Sequence, residues 1–200
     1  ISVAKETLQN EDFKHLQDLV NEEIPLVMFD RVLDSIDCDK VIVDDIGGGY
    51  KATKHLIEQG RKRIAMLSTP THVNIGVLRE KGYTKALKEF NLLESSNLAI
   101  EIDDNSDLKE QIFKVIDKNI DAIFAVNEIY AAVAIRAIRE KRMKVPEDIS
   151  VVGFTDGLIS EYSSPSITAI VQHGFTMGKQ AVELLIDRIE NDSENLPPKT

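Results

Sequence analysis

The 200-residue chain has little of several things, and each shortage excludes something. Its single cysteine, Cys38, rules out an intrachain disulfide and suits a reducing compartment. The Ile-Asp-Cys-Asp setting of that cysteine is acidic and disfavours a thiolate, so no catalytic thiol is expected. No apolar run approaches the roughly 18 residues of a membrane span. Neither a signal peptide nor a targeting motif is visible, which points to a cytoplasmic protein without a membrane anchor. Positive charge is scarce, with 24 basic residues against 34 acidic ones and a formal charge of -10. Nucleic-acid binders carry a basic footprint that neutralises phosphates, so these residues on their own are expected to be repelled by duplex DNA. Gly47-Gly48-Gly49 lacks the lysine and spacing of a P-loop and does not fit G-x-G-x-x-G, so its glycines are expected to let a helix pack closely against a sheet. His15, His55, His72 and His173 show no paired metal-ligand spacing, and neither a metal nor a cofactor is expected.

What is present is a regular alternation. Six apolar runs, at residues 41–43, 63–67, 98–102, 122–126, 149–154 and 168–171, alternate with helical patterns at 47–59, 75–90, 106–119, 128–142 and a short segment at 157–162. Helical connections between buried strands indicate right-handed crossovers in a parallel, doubly wound α/β sheet. The run 149–154 is the clearest strand. Pro146 stops the preceding helix, the run is apolar throughout, and it ends in Thr155-Asp156-Gly157. Open α/β sheets place their ligands at such carboxyl ends.

The first forty residues belong to a different lobe. Phe13, Leu16, Leu19 and Val20 fall at helical spacing over residues 12–23, and a strand follows at 24–29. A strong helix at 176–190 keeps Met177, Ala181, Leu184, Leu185 and Ile189 in phase. The expected division is residues 1–43 with 173–200 as one partial lobe and 44–172 as the other. One short strand is too few for a three-layer lobe, so both ends are expected to be cut.

Several stretches, in order and spacing, resemble the effector-binding domain of the lactose-repressor/galactose-repressor (LacI/GalR) family of bacterial transcriptional regulators. They are Ile24-Pro-Leu-Val-Met-Phe-Asp-Arg31, Gly49-Tyr-Lys-Ala-Thr-Lys-His-Leu-Ile-Glu-Gln-Gly60, Arg79-Glu-Lys-Gly-Tyr83, Asp121-Ala-Ile-Phe-Ala-Val-Asn127, Val145–Phe154, and Pro165-Ser-Ile-Thr168 with Gln172 and Met177-Gly178-Lys179. The resemblance implies a periplasmic-binding-protein-like type I fold of two doubly wound lobes, the N-terminal one incomplete here. It implies a small effector, a sugar or sugar derivative, held between the lobes. It also implies a homodimer and a helix-turn-helix for operator DNA, outside this chain. A free-standing solute-binding protein of the periplasmic type is the alternative. An enzyme is not expected, because no histidine stands beside Asp30, Arg79, Asn127 or Asp156 at the strand ends.

Arg79 falls in phase with the apolar stripe of its helix, one turn after Ile75 and one before Tyr83. An inward guanidinium must find partners, and the resemblance makes that partner a ligand. The alternatives are an ion pair with Glu80 or Asp103, or a snorkelling surface side chain. Alanine in place of Arg79 is expected to leave the fold intact. Asn127 reads either as a helix N-cap or, by resemblance, as a ligand contact. The family usually has an aspartate where Thr155 stands, with the carboxylate here one residue later at Asp156. By the same resemblance Asp30 and Gln172 lie near cleft and hinge. For the dimer, Ala131, Ala132, Ala134 and Ala137 cover more than one helix face, so a partner is expected to bury the outer side with Ile159 and Tyr162 as anchors.

Overall fold

The computed structural model describes residues 1–93, 98–155, 157–190 and 198–200. In chain order the first elements are α1 (Lys5–Asn10), α2 (Lys14–Asn21), β1 (Val27–Phe29), β2 (Asp39–Val41), α3 (Asp45–Glu58), β3 (Ile64–Ser68), α4 (Asn74–Glu89) and β4 (Leu98–Glu101). They are followed by α5 (Leu108–Ile116), β5 (Ala122–Ala125), α6 (Glu128–Glu140), β6 (Ser150–Phe154), α7 (Leu158–Tyr162), β7 (Thr168–Ile170) and α8 (Gly174–Glu190). The chain divides into two compact units, Asp44–Gln172 and the pair of end segments Ile1–Val43 and His173–Thr200.

In the unit made of the chain ends, β1 and β2 pair in parallel, with Val27 opposite Asp39 and Phe29 opposite Val41. Alternate residues of β1 serve opposite faces, as the period of two requires. Met28 joins Val3, Leu16, Leu26, Ile36 and Cys38 on one side, and Val27 joins Val41, Met177 and Ala181 on the other. The strand expected at 41–43 starts two residues earlier. Asp39 can enter it buried because Arg188 of α8 takes both carboxylate oxygens at 2.8 Å and the Lys199 amide donates to one of them at 2.7 Å. Burial alone would raise the Asp39 carboxyl, but these bonds and charges outweigh it and hold it below the usual range. Cys38 is buried, and it is chiefly this burial that pushes its thiol up.

The other unit carries a five-stranded, wholly parallel sheet in the order β4-β3-β5-β6-β7. Its three central strands are buried along their whole length, which is why their sequences are continuous apolar runs. The order reverses between β3 and β5, so right-handed crossovers put α4 on one face and α5 and α6 on the other. Tyr83 fastens α4 to the sheet: its buried phenol donates to Ile64 O at 2.7 Å and accepts from Leu98 N at 3.1 Å.

Two features of this unit bear on function. First, α3 and α4 cross with almost no space between them. A Cβ on Gly49 would fall 2.2 Å from Arg79 O, and one on Gly82 would fall 2.1 Å from Ile46 O. Gly48 turns instead to the sheet, where a Cβ would strike the Phe154 ring at 2.5 Å. Second, Ala131, Ala134 and Ala137 of α6 are completely buried inside this unit. Ala131 lies against β6, its Cβ 3.3 Å from where a Cβ on Gly153 would stand. The expectation that Ala131 serves a dimer interface is therefore corrected. The alanines let α6 approach its own sheet, and of Ala131, Ala132, Ala134 and Ala137 only Ala132 is partly exposed.

Candidate functional site

The parallel register aligns the carboxyl ends of the central strands, with Leu67 opposite Ala125, Phe124 opposite Val152 and Phe154 opposite Ile170. The residues just past those ends are Thr69, Asn127, Thr155 and Val171-Gln172, so one edge collects a set of polar side chains.

Asn127 starts α6. Its Oδ1 accepts the Tyr130 N–H at 2.8 Å, an N-cap of the kind that removes one orphan donor of a helix start. The cap spends the carbonyl oxygen of the side chain, not its amide N–H2 group. Thr155 follows β6 with φ of 92°, a left-handed backbone that is costly for a β-branched residue. Three bonds hold it there. Its N–H donates to Ile170 O at 2.8 Å, its hydroxyl donates to Gln172 Oε1 at 2.9 Å, and its carbonyl accepts from Ser160 Oγ at 3.2 Å. Strain of this kind persists where the surroundings over-determine it, commonly at ligand sites.

Arg79 contacts the residue before each of these two, Val126 and Phe154. Its side chain is 5% exposed and its Nε donates to Asp45 Oδ1 at 2.8 Å, with Asp45 6% exposed. One Nη donates to Val126 O, and the guanidinium carbon stacks 3.4 Å from the centre of the Phe154 ring. The ion pair with Glu80 or Asp103 considered from the sequence gives way to one with Asp45. The structure also removes the basis for expecting Arg79→Ala to leave the fold intact, since alanine would take a guanidinium away from a buried carboxylate.

Two groups at this edge were not singled out from the sequence. Asp45 follows Asp44, which caps α3 by accepting Gly47 N–H at 2.7 Å, and two successive aspartates at a helix start cannot both be caps. Ser68 and Thr69 end the β3 run with buried hydroxyls, 4% and 9% exposed. The polar pair closing an apolar strand was their signal. Asp30 falls in the unit made of the chain ends, with φ of 61° and its Oδ2 3.4 Å from Ser2 Oγ. Asp156 lies outside the described residues. Among the described residues no group of three or more His, Cys, Asp and Glu side chains is placed to hold a metal.

The model of the periplasmic binding protein-like domain matches residues 53–200. The chain belongs to that family. Its relatives further identify the stretch as the effector-binding domain of LacI-family regulators. It is 37% identical over 175 residues to the HTH-type transcriptional repressor PurR of Aliivibrio salmonicida, covering 86% of this chain and 52% of the relative. The transcriptional regulator CelR in complex with cellobiose is 31% identical with a TM-score of 0.81, covering 90% of this chain and 56% of that one. A periplasmic binding protein/LacI transcriptional regulator from Alkaliphilus metalliredigens, complexed with D-xylulofuranose, is 30% identical with a TM-score of 0.76, covering 90% and 67%. The named relatives are regulators and not enzymes, and the chain spans about half the length of the curated relatives it matches. As a periplasmic binding protein-like domain it keeps the parallel sheet of that fold, and among the described residues no helix is long and apolar enough to cross a membrane.

Proposed function

We propose that this chain is the effector-sensing part of a cytoplasmic transcriptional regulator, and that its effector is a sugar or sugar derivative bound at the carboxyl edge of the five-stranded sheet. The supporting observation is that Asn127 and Thr155 stand just past the carboxyl ends of the adjacent parallel strands β5 and β6. Asn127 keeps its amide donor after capping α6, and Thr155 brings a hydroxyl on a strained backbone. Ser68 and Thr69 add hydroxyls at the end of β3, and Arg79 brings no uncompensated charge because Asp45 neutralises it. Hydroxyl and amide groups of this kind suit a polyol. Two relatives at 30% and 31% identity carry sugars in their structures.

In this reading Asn127, Thr155 and Gln172 touch the effector, and Arg79 supports them through Val126 and Phe154. Occupancy of the site would set the affinity of a helix-turn-helix, outside these residues, for operator DNA. The regulator would act as a homodimer through Ala132, Ile159 and Tyr162. Ile159 and Tyr162 are 41% and 76% exposed, and Ile129 and Leu158 beside them are 54% and 72% exposed. A thermal-shift screen against sugars, sugar phosphates and purines tests the effector class; a saturable rise in melting temperature with a sugar or sugar phosphate and none with purines supports it.

A further inference from the structure

Arg79 touches three elements at once, and two of its contacts fall one residue before the residues of the proposed site. Its Nη donates to the carbonyl of Val126, the residue before Asn127. Its guanidinium plane stacks on Phe154, the residue before Thr155, at 3.4 Å. The remaining edge is held by Asp45 at the start of α3. The approach that makes this reach possible depends on Gly49 and Gly82, where any side chain would drive α3 and α4 apart.

We propose that Asp45 and Arg79 form a buried brace that sets the ends of β5 and β6 relative to each other, and so positions Asn127 and Thr155 for the effector. Asp45 is then a positioning residue, acting through Arg79. The guanidinium suits the task because it is planar. It presents one edge to a carboxylate and another to a carbonyl while its face covers an aromatic ring, which an ammonium cannot do. Burial makes the arrangement rigid. A guanidinium at 5% exposure that loses a carboxylate partner keeps its charge with less compensation, which favours its moving towards water. That movement would release Val126 and Phe154 together. The brace serves the effector site proposed above and rests on that reading, yet its own test needs no effector.

The test is amide hydrogen exchange on the 200-residue chain. The probes are Tyr130 N–H, which bonds to Asn127 Oδ1, and Thr155 N–H, which bonds to Ile170 O. Glu110 N–H, bonded to Asp107 Oδ1 at 2.9 Å in the cap of α5, is the internal control: a cap amide of the same kind on a different helix. Asp45→Leu is expected to speed exchange at Tyr130 and Thr155 by about tenfold or more while Glu110 stays within about threefold. Asp45→Asn keeps an oxygen for Arg79 Nε and is expected to leave all three near wild type. Should Asp45→Leu fail to fold, Arg79→Lys decides: it keeps the charge but loses the second edge, and is expected to reproduce the selective loss. Uniform acceleration at all three amides, or wild-type protection at Tyr130 and Thr155 in a folded Asp45→Leu or Arg79→Lys, would overturn the brace. A failure of sugars to bind would leave these exchange results unchanged and would count against the effector reading alone.

Discussion

Thr155 donates its hydroxyl to Gln172 Oε1 at 2.9 Å while holding a φ of 92°. The bond spans the end of β6 and the residue at which the Asp44–Gln172 unit closes, so a strained backbone and the chain's exit from the unit are tied together. Two substitutions separate the bond from the strain. Valine keeps the branched shape and the strain but removes the hydroxyl that bonds Gln172, so Thr155→Val is expected to cost about 1–2 kcal/mol. Glycine also loses the bond, but it relieves roughly 1–3 kcal/mol of strain against about 1 kcal/mol of added backbone entropy. Thr155→Gly should therefore lie within about 1 kcal/mol of wild type. Urea unfolding that ranks glycine below valine would show that the backbone is not strained there.

The crossing of α3 and α4 gives a second prediction. At Gly82 a Cβ would stand 2.1 Å from Ile46 O and 2.5 Å from Tyr50 N, both backbone atoms that cannot turn aside. Gly82→Ala is expected to destabilise by more than about 2 kcal/mol. Gly178 in α8 has nothing within 4 Å of its Cβ position. Gly178→Ala should be neutral or stabilise by up to about 1 kcal/mol through helix propensity. Thermal melts of the two variants check the pair.

The parallel sheet was legible because strands buried on both faces must be apolar throughout, and the runs ending at Leu67, Val126 and Phe154 are. Arg79 was legible as an inward-facing guanidinium but its partner was not. Phase on a helix reports which way a side chain points, whereas Asp45 is 34 positions away and reaches it only through tertiary packing. Asn127 stood out for both capping and ligand contact, and the cap is present. The role of the alanines in α6 was misjudged because small residues answer two demands alike, a close partner helix or a close sheet. Ala131 against β6 answers the second.

Acid pH should expose the Asp39–Arg188 pair. The folded carboxyl lies below its ordinary value: burial opposes this, but the Arg188 and Lys199 bonds prevail. A depressed folded pKa contributes stability that is fully present above the unfolded value of about 3.9 and is lost as pH falls through the folded one. Unfolding free energy of the wild type should therefore fall more steeply below about pH 4 than that of Asp39→Asn, which starts lower at neutral pH. Parallel curves for the two proteins would mean that the pair does not couple to folding.

The homodimer proposal turns on α7. Tyr162 is 76% exposed and Leu158 72% exposed, so neither supports the fold of its own chain. Tyr162→Glu should leave the melting temperature of the monomer unchanged and shift sedimentation of the full-length regulator from dimer towards monomer. A dimer that survives this substitution at micromolar concentration would place the interface elsewhere.

The effector site itself is tested most directly by the difference between Asn127 and Asn127→Asp in a thermal-shift screen of sugars, sugar phosphates and purines. Aspartate keeps the oxygen that caps Tyr130 N–H, so the fold and its baseline melting temperature stay, but it removes the amide donor. Wild type should show a saturable rise in melting temperature with one or more sugars or sugar phosphates, and Asn127→Asp should lose it. The same rise in both proteins, a rise with purines instead, or no rise with any sugar or sugar phosphate would contradict an effector site for sugars and their derivatives at this edge.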